Sequence, residues 1–276
     1  MYTTLIDSDT LLKEIDNPDW QVFDTRYDLM DKTKGKNNYL ESHIPGAIYL
    51  DLHDDLSGPP ITNRGRHPLP SEDNMHNLFS ENGIKQNTQV VIYDDSYGSF
   101  AARLWWMLQH MGHAGAAVLD GGWQAWLQIG GAVTQEIVSP AKTEYSGKAK
   151  QENVVSIEQV EDYGSIIDSR EPPRYRGEYE PIDNAAGHIP NALNRFWKDN
   201  LSESGQFKDK TTLREEFDTI LQGAASDETV FYCGSGVTAC HNLLAATYAG
   251  LAMPKLYAGS WSEWSSTPGK AIVTEI

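Results

Sequence analysis

Cysteine is scarce in this 276-residue chain: Cys233 and Cys240 are the only two, seven positions apart. That count and spacing fit neither a disulfide framework nor a zinc-ligand pattern, so a reducing compartment and a functional free thiol are expected, with no metal and no cofactor. Positive charge is also in short supply. Twenty-two Lys and Arg stand against 39 Asp and Glu, a net charge of -17, and no Lys/Arg block interrupts the excess. Nucleic acid and anionic membrane surfaces are therefore excluded as partners, and an anionic substrate would need a local basic pocket. Long apolar runs are absent too, since none approaches the roughly 20 residues of a membrane span. Residues Met1 to Asp7 show neither a basic n-region nor an apolar core, which sets a cytoplasmic protein as the expectation.

What is present alternates. Ser8 is read as the N-cap of a helix to Ile15, Trp20 to Asp24 as a strand, and Tyr27 to Ser42 as a polar stretch leading to the turn His43-Ile44-Pro45-Gly46-Ala47 and a short strand, Ile48 to Leu50. A long loop from Asp51 to Pro70 follows. Then come a helix capped by Ser71, a buried strand Gln89 to Tyr93, an apolar helix Ser99 to Met111, a strand Ala116 to Leu119 and a short helix Gly121 to Ile129. Strands alternating with helices predict an α/β fold, a mostly parallel sheet with helices on both faces.

The same order then returns. Asp168-Ser169-Arg170 echoes Asp24-Thr25-Arg26, His188-Ile189-Pro190 echoes His43-Ile44-Pro45, Tyr232-Cys233 echoes Tyr93-Asp94, and Gly259-Ser260-Trp261 echoes Gly121-Gly122-Trp123, at offsets of 144, 145, 139 and 138. Four matches in one order imply an internal duplication. The expected division is a first domain over 1–138, a linker over 139–152 and a second domain over 153–276. Only the second copy has a thiol, because Asp94 stands where Cys233 does.

Cys233 ends the apolar run Val230-Phe231-Tyr232 and precedes a small-residue loop and a helix from Ala239 to Gly250. A thiol at a helix N-terminus meets converging N–H groups and is expected to ionise below its free value of roughly 8.5. A cysteine phosphatase would use the same strand-loop-helix, but its Cys-x5-Arg requires arginine where Ala239 stands. Cys240 is expected to be core packing.

These segments resemble the two-domain rhodanese family of sulfurtransferases over essentially the whole chain. The resemblance rests on Tyr39-x-x-x-His43-Ile44-Pro45-Gly46-Ala47, its second copy at His188, the segment Tyr257-x-Gly259-Ser260-Trp261-x-Glu263-Trp264 and the cysteine loop. It implies two tandem rhodanese-like domains, the first catalytically silent and the second carrying a persulfide on Cys233. Cys233-Gly234-Ser235-Gly236-Val237-Thr238 is similar to the loop of 3-mercaptopyruvate sulfurtransferases, whereas thiosulfate-preferring members carry basic residues after the cysteine.

The resemblance further implies roles. Cys233, Ser235 and His67 would be catalytic, the serine passing protons between substrate thiol and histidine. Arg174 would grip the substrate carboxylate, and the loop residues Gly234, Gly236, Val237 and Thr238 would line the site. A second arginine expected before His188 is missing, since that region reads Glu180-Pro181-Ile182-Asp183, and Arg195 is the nearest replacement. Asp51 is the guess for an acidic relay member. His43, His188, Asp24 and Asp168 are assigned to scaffold, and Trp123, Trp126, Trp261 and Trp264 to packing. The expected partners are a small-molecule sulfur donor and a thiol acceptor such as thioredoxin or a small thiol, with cyanide as a test-tube substitute. The rival readings are a thiosulfate:cyanide enzyme and a persulfide carrier that does not turn over. A duplicated chain can bury its own interface, so a monomer is expected.

Overall fold

The computed structural model describes residues 1–59, 61 and 64–275. Pro60, Thr62 and Asn63, inside the long loop expected over 51–70, lie outside the described residues, as does Ile276. The chain forms two compact units. The first holds residues 1–58, 70–150 and 204–206, and the second holds 59–69, 151–203 and 207–276. The short stretch 59–69, with His67 in it, thus belongs to the same unit as Cys233.

In the first unit the strands are β1 (Leu5–Ile6), β2 (Trp20–Asp24), β3 (Ile48–Tyr49), β4 (Gln89–Tyr93) and β5 (Ala116–Leu119). Their order in the sheet is β1-β5-β4-β2-β3 and every pairing is parallel. All five residues of β4 are buried, as expected of a strand covered on both faces. The helices are α1 (Ser8–Glu14), α2 (Lys34–Glu41), α3 (Glu72–Glu81), α4 (Ala101–His110) and α5 (Gly122–Gln128).

Two local expectations change, and one short strand is added. The N-cap of α1 is Asp7, whose carboxylate accepts from Thr10 N at 2.7 Å, while Ser8 is the first helical residue. The polar stretch before His43 contains α2, a helix with too little apolar periodicity to read from sequence; it is held where Tyr39 is buried, stacked on His43 and donating to Ala47 O at 2.9 Å. β1 is only two residues long and exists by pairing with β5.

The second unit carries β6 (Ile166–Asp168), α6 (Pro172–Arg176), β7 (Leu193–Asn194), α7 (Lys210–Leu221), β8 (Val230–Tyr232), α8 (Ala239–Tyr248), β9 (Lys255–Leu256) and α9 (Ser260–Trp264). The sheet order is β7-β6-β8-β9, again all parallel. A single parallel bridge, Val154 to Leu256, occupies the edge that β1 holds in the first unit.

The duplication extends to individual hydrogen bonds. Arg26 binds Asp24 and Ser42 O and lies over Trp123; Arg170 binds Asp168 and Gly187 O and lies over Trp261. His43 Nδ1 meets Tyr39 O, and His188 Nδ1 meets Tyr175 O. Both histidines are buried beneath their Ile-Pro turns, in agreement with a scaffold role. Trp123 and Trp126 belong to the core of the first unit, Trp261 and Trp264 to that of the second. Among the described residues no helix is long and apolar enough to cross a membrane.

Candidate active site

From β6 the chain steps out to β7, returns to β8 and continues to β9, so the strand order reverses between β6 and β8. Ligands of open parallel sheets bind beyond the carboxyl ends of strands at such a reversal. Cys233 follows β8 there, and Arg170 follows β6.

The cysteine loop is fixed from behind by α9. Cys233 N donates to Ser260 Oγ at 3.1 Å, Trp261 N donates to Cys233 O at 2.9 Å, and Ser262 N donates to Gly234 O at 2.9 Å. Gly236 has φ +74°, and a Cβ there would lie 2.3 Å from Ala258 O, so the loop can follow this path only with glycine. Val237 is buried and its carbonyl accepts from Cys240 N, while Thr238 occupies the N-cap position of α8. Cys240 is fully buried, its thiol 3.4 Å from Gly236 O. Packing accounts for it.

His67 and Ser235 come together. His67 Nδ1 lies 3.0 Å from Ser235 Oγ, and both residues are buried. The segment that carries the histidine is seated on α9, where Arg66 N donates to Ser262 Oγ at 3.1 Å. Gly65 has φ +84°, and a Cβ on it would meet Gly259 O at 2.7 Å. Asp51 is used elsewhere: its carboxylate takes the Tyr49 hydroxyl at 3.1 Å and the N–H groups of His53 and Asp54, as a turn-capping aspartate does.

Two guanidinium groups cover Gly234. A Cβ at that position would lie 3.2 Å from Arg66 Nη2 and 3.5 Å from Arg174 Nη2. Arg174 is therefore beside the thiol's neighbour. Arg195 is not gathered with it. Its guanidinium donates to Asn200 at 2.8 Å and to Glu216 at 2.9 Å, over the ring of Phe217, and so braces α7. Arg66, which sequence reasoning passed over, stands in the place sought for a second cation. The available signal was its adjacency to His67 in an acidic chain that needs a local basic pocket.

The arginines are not unaccompanied. Arg174 donates to Glu180 at 2.7 and 3.0 Å and approaches Asp183 at 3.4 Å. Arg66 pairs with Asp183 as well, and Arg170 reaches Glu180 at 3.2 Å. Burial pushes the Arg66 guanidinium below its ordinary value; negative charge on Cys233 would pull it back up, and the neighbouring Arg174 charge presses it further down.

The first unit displays the same loop with a different occupant. Asp94 O accepts from Trp123 N at 2.8 Å, as Cys233 O does from Trp261 N. The Asp94 carboxylate then accepts from four backbone groups, Ser96 N, Gly98 N and Phe100 N at 2.8 Å and Ala101 N at 2.9 Å. Such a loop is a cradle for an anion. Burial pushes the Asp94 carboxyl up, and these four bonds work against that push.

Comparison with known proteins agrees with the internal repeat. The model of the rhodanese-like domain matches twice, over residues 7–129 and 151–267. A Pseudomonas aeruginosa protein named "Probable 3-mercaptopyruvate sulfurtransferase" is 42% identical over 277 residues, covering 98% of each chain. The thiosulfate sulfurtransferase of Gallus gallus is 33% identical, covering 93% of this chain and 90% of its own. The solved 3-mercaptopyruvate sulfurtransferase of Leishmania major superposes with a TM-score of 0.86 at 30% identity, covering 95% of this chain and 74% of that one. With both halves matched and full-length relatives above 30% identity, the chain belongs to the rhodanese-like family as a tandem pair of its domains.

Proposed function

We propose that the protein is a sulfurtransferase that takes the sulfur of 3-mercaptopyruvate onto Cys233 and passes it to a thiol acceptor. The Cys233 thiolate attacks the substrate sulfur, the carbon–sulfur bond breaks, and its electron pair leaves on the enolate of pyruvate, which then takes up a proton. Cys233 is left as a persulfide. Attack by an acceptor thiolate, or by cyanide in an assay, on the outer sulfur restores the Cys233 thiolate.

The observation that carries this reading is the meeting of three groups around one loop: the thiol of Cys233, the paired Ser235 and His67, and the Arg66 and Arg174 guanidiniums over Gly234. A mercaptopyruvate thiol must lose its proton, which the 3.0 Å serine–histidine pair can accept, while its carboxylate suits a planar guanidinium. The Asp94 cradle supports an anionic persulfide in the equivalent loop of the second unit, and no cofactor enters these steps.

Thiosulfate is the second reading, favoured by the presence of two cations rather than one and by relatives bearing that name. Comparing kcat/KM for the two donors with cyanide as acceptor decides between them: mercaptopyruvate is expected to be the better donor, and a clear thiosulfate preference rejects the proposal. Steady pyruvate release, lost in Cys233→Ser, distinguishes an enzyme from a carrier that loads once. The proposed setting is a reducing, cytoplasmic one, with the protein acting as a monomer.

A further inference from the structure

The arginines beside Cys233 already hold anions. The side chains of Glu180 and Asp183 are 2% and 3% exposed, and both are aimed at the guanidiniums that an incoming donor must use. Arg170 also touches Glu180, at 3.2 Å, but its charge is balanced by Asp168, which it holds through a bidentate contact, and it donates further to Gly187 O. That leaves Arg66 and Arg174 against Glu180 and Asp183, two positive charges against two negative ones. The sequence Glu180-Pro181-Ile182-Asp183 lies in the stretch where a second arginine was sought, so these carboxylates stand where added positive charge was expected.

We propose that Asp183, braced by Glu180, is a specificity-determining residue that acts as an internal counter-anion, admitting singly charged donors and disfavouring doubly charged ones. A donor with one carboxylate can take the place of the Asp183 carboxylate on Arg66 and Arg174, one negative charge exchanged for another. A dianion brings a second negative charge that finds no further cation and faces Glu180 at short range, where partial burial makes repulsion costly. Arg66 and Arg174 alone would favour the dianion; Asp183 reverses that order. Asp183 reaches the donor only through the arginines, and so it is a positioning residue rather than a catalytic one.

This inference rests on the mercaptopyruvate reading but is tested apart from it. In a Cys233→Ser background, where turnover is removed, pyruvate serves as the monoanion probe and sulfate as the dianion probe, with dissociation constants measured by titration calorimetry. Replacing Asp183 by Asn is expected to tighten sulfate by about tenfold and pyruvate by less, whereas Asp183→Glu keeps the original ratio. In the active enzyme the same Asn variant lowers KM for thiosulfate more than for mercaptopyruvate, with kcat little changed. An unchanged sulfate-to-pyruvate ratio in the Asn variant, or an Asp183→Glu protein that behaves like it, overturns the inference while leaving the donor reading intact. A wild-type preference for thiosulfate rejects the donor reading while the binding ratio still reports on Asp183.

Discussion

Ser235 and His67 differ from Cys233 in one testable respect: they matter only when a proton has to move. His67→Ala is expected to reduce kcat/KM for mercaptopyruvate by about 10²–10⁴-fold and to spare thiosulfate, which has no thiol proton, much more. Equal losses with both donors would make the 3.0 Å contact a structural one. Gly236→Ala, by contrast, injures the loop itself. A non-glycine residue in the left-handed region costs about 1–2 kcal/mol, and the added methyl must push aside Ala258 O. Both a lower melting temperature and a slower reaction with every donor should result. Residue chemistry was the most legible part of the sequence. Cys233 could be named from its strand-loop-helix setting, and Ser235, His67 and Arg174 through the family resemblance, whereas Arg66, Glu180 and Asp183 have meaning only through the charges they face. Arg195 was misplaced for the same reason: position after the His188 turn says nothing of which way its guanidinium leaves the sheet, and it leaves toward Glu216 and Phe217.

At the scale of elements, the strands that the sequence marked with apolar runs, Trp20–Asp24, Gln89–Tyr93 and Ala116–Leu119, fall where the pattern put them. Elements that depend on neighbours did not announce themselves, namely β1 through its pairing with β5 and α2 through Tyr39. The joint most exposed to mutation is the repeated strand-end pair. Removing one partner of a buried ion pair strands the other charge and costs about 3–5 kcal/mol. Arg26→Ala should accordingly lower the melting temperature sharply by leaving Asp24 buried with its cation gone, and a variant that melts like the wild type would refute that reading. Alkaline pH probes a second joint. Tyr175 donates to Ala192 O at 2.6 Å, and burial, with Glu275 and Asp168 adding, pushes its hydroxyl up to about 12. Between pH ~10 and that value the unfolded chain has lost the proton and the folded one keeps it, so stability falls as pH rises through this window. Melting curves across it should flatten by about one proton in Tyr175→Phe relative to wild type.

Taken whole, the molecule is one structural plan used twice and made reactive once. The duplication was visible in four short echoes, but its depth was not, because hydrogen bonds such as Ile44 N to Tyr93 Oη and Ile189 N to Tyr232 Oη leave no trace in residue identity beyond the tyrosines themselves. The plan implies that a thiol alone does not make a site. Asp94→Cys combined with Cys233→Ser should remain inactive, since the first loop continues Asp95-Ser96-Tyr97 with Tyr97 at φ 60°, and its neighbours are Asp28 and Lys34 rather than a pair of arginines. Recovery of pyruvate release in that double variant would mean that the loop path is sufficient.

The four N–H groups that converge on Asp94 have a consequence for heat resistance. In the first unit their partner is built into the chain and never leaves, so that loop has a single ground state. In the second, the equivalent anion arrives and departs with every cycle, and a persulfide that accepts hydrogen bonds from the folded loop, and has no such partners in the unfolded chain, adds to the stability of the folded form. Sulfur occupancy should therefore be readable without any assay of turnover. Protein loaded with donor and freed of acceptor should melt higher and resist proteolysis near residues 233–238 better than the same protein stripped by cyanide, and the stripped form should regain that resistance on reloading.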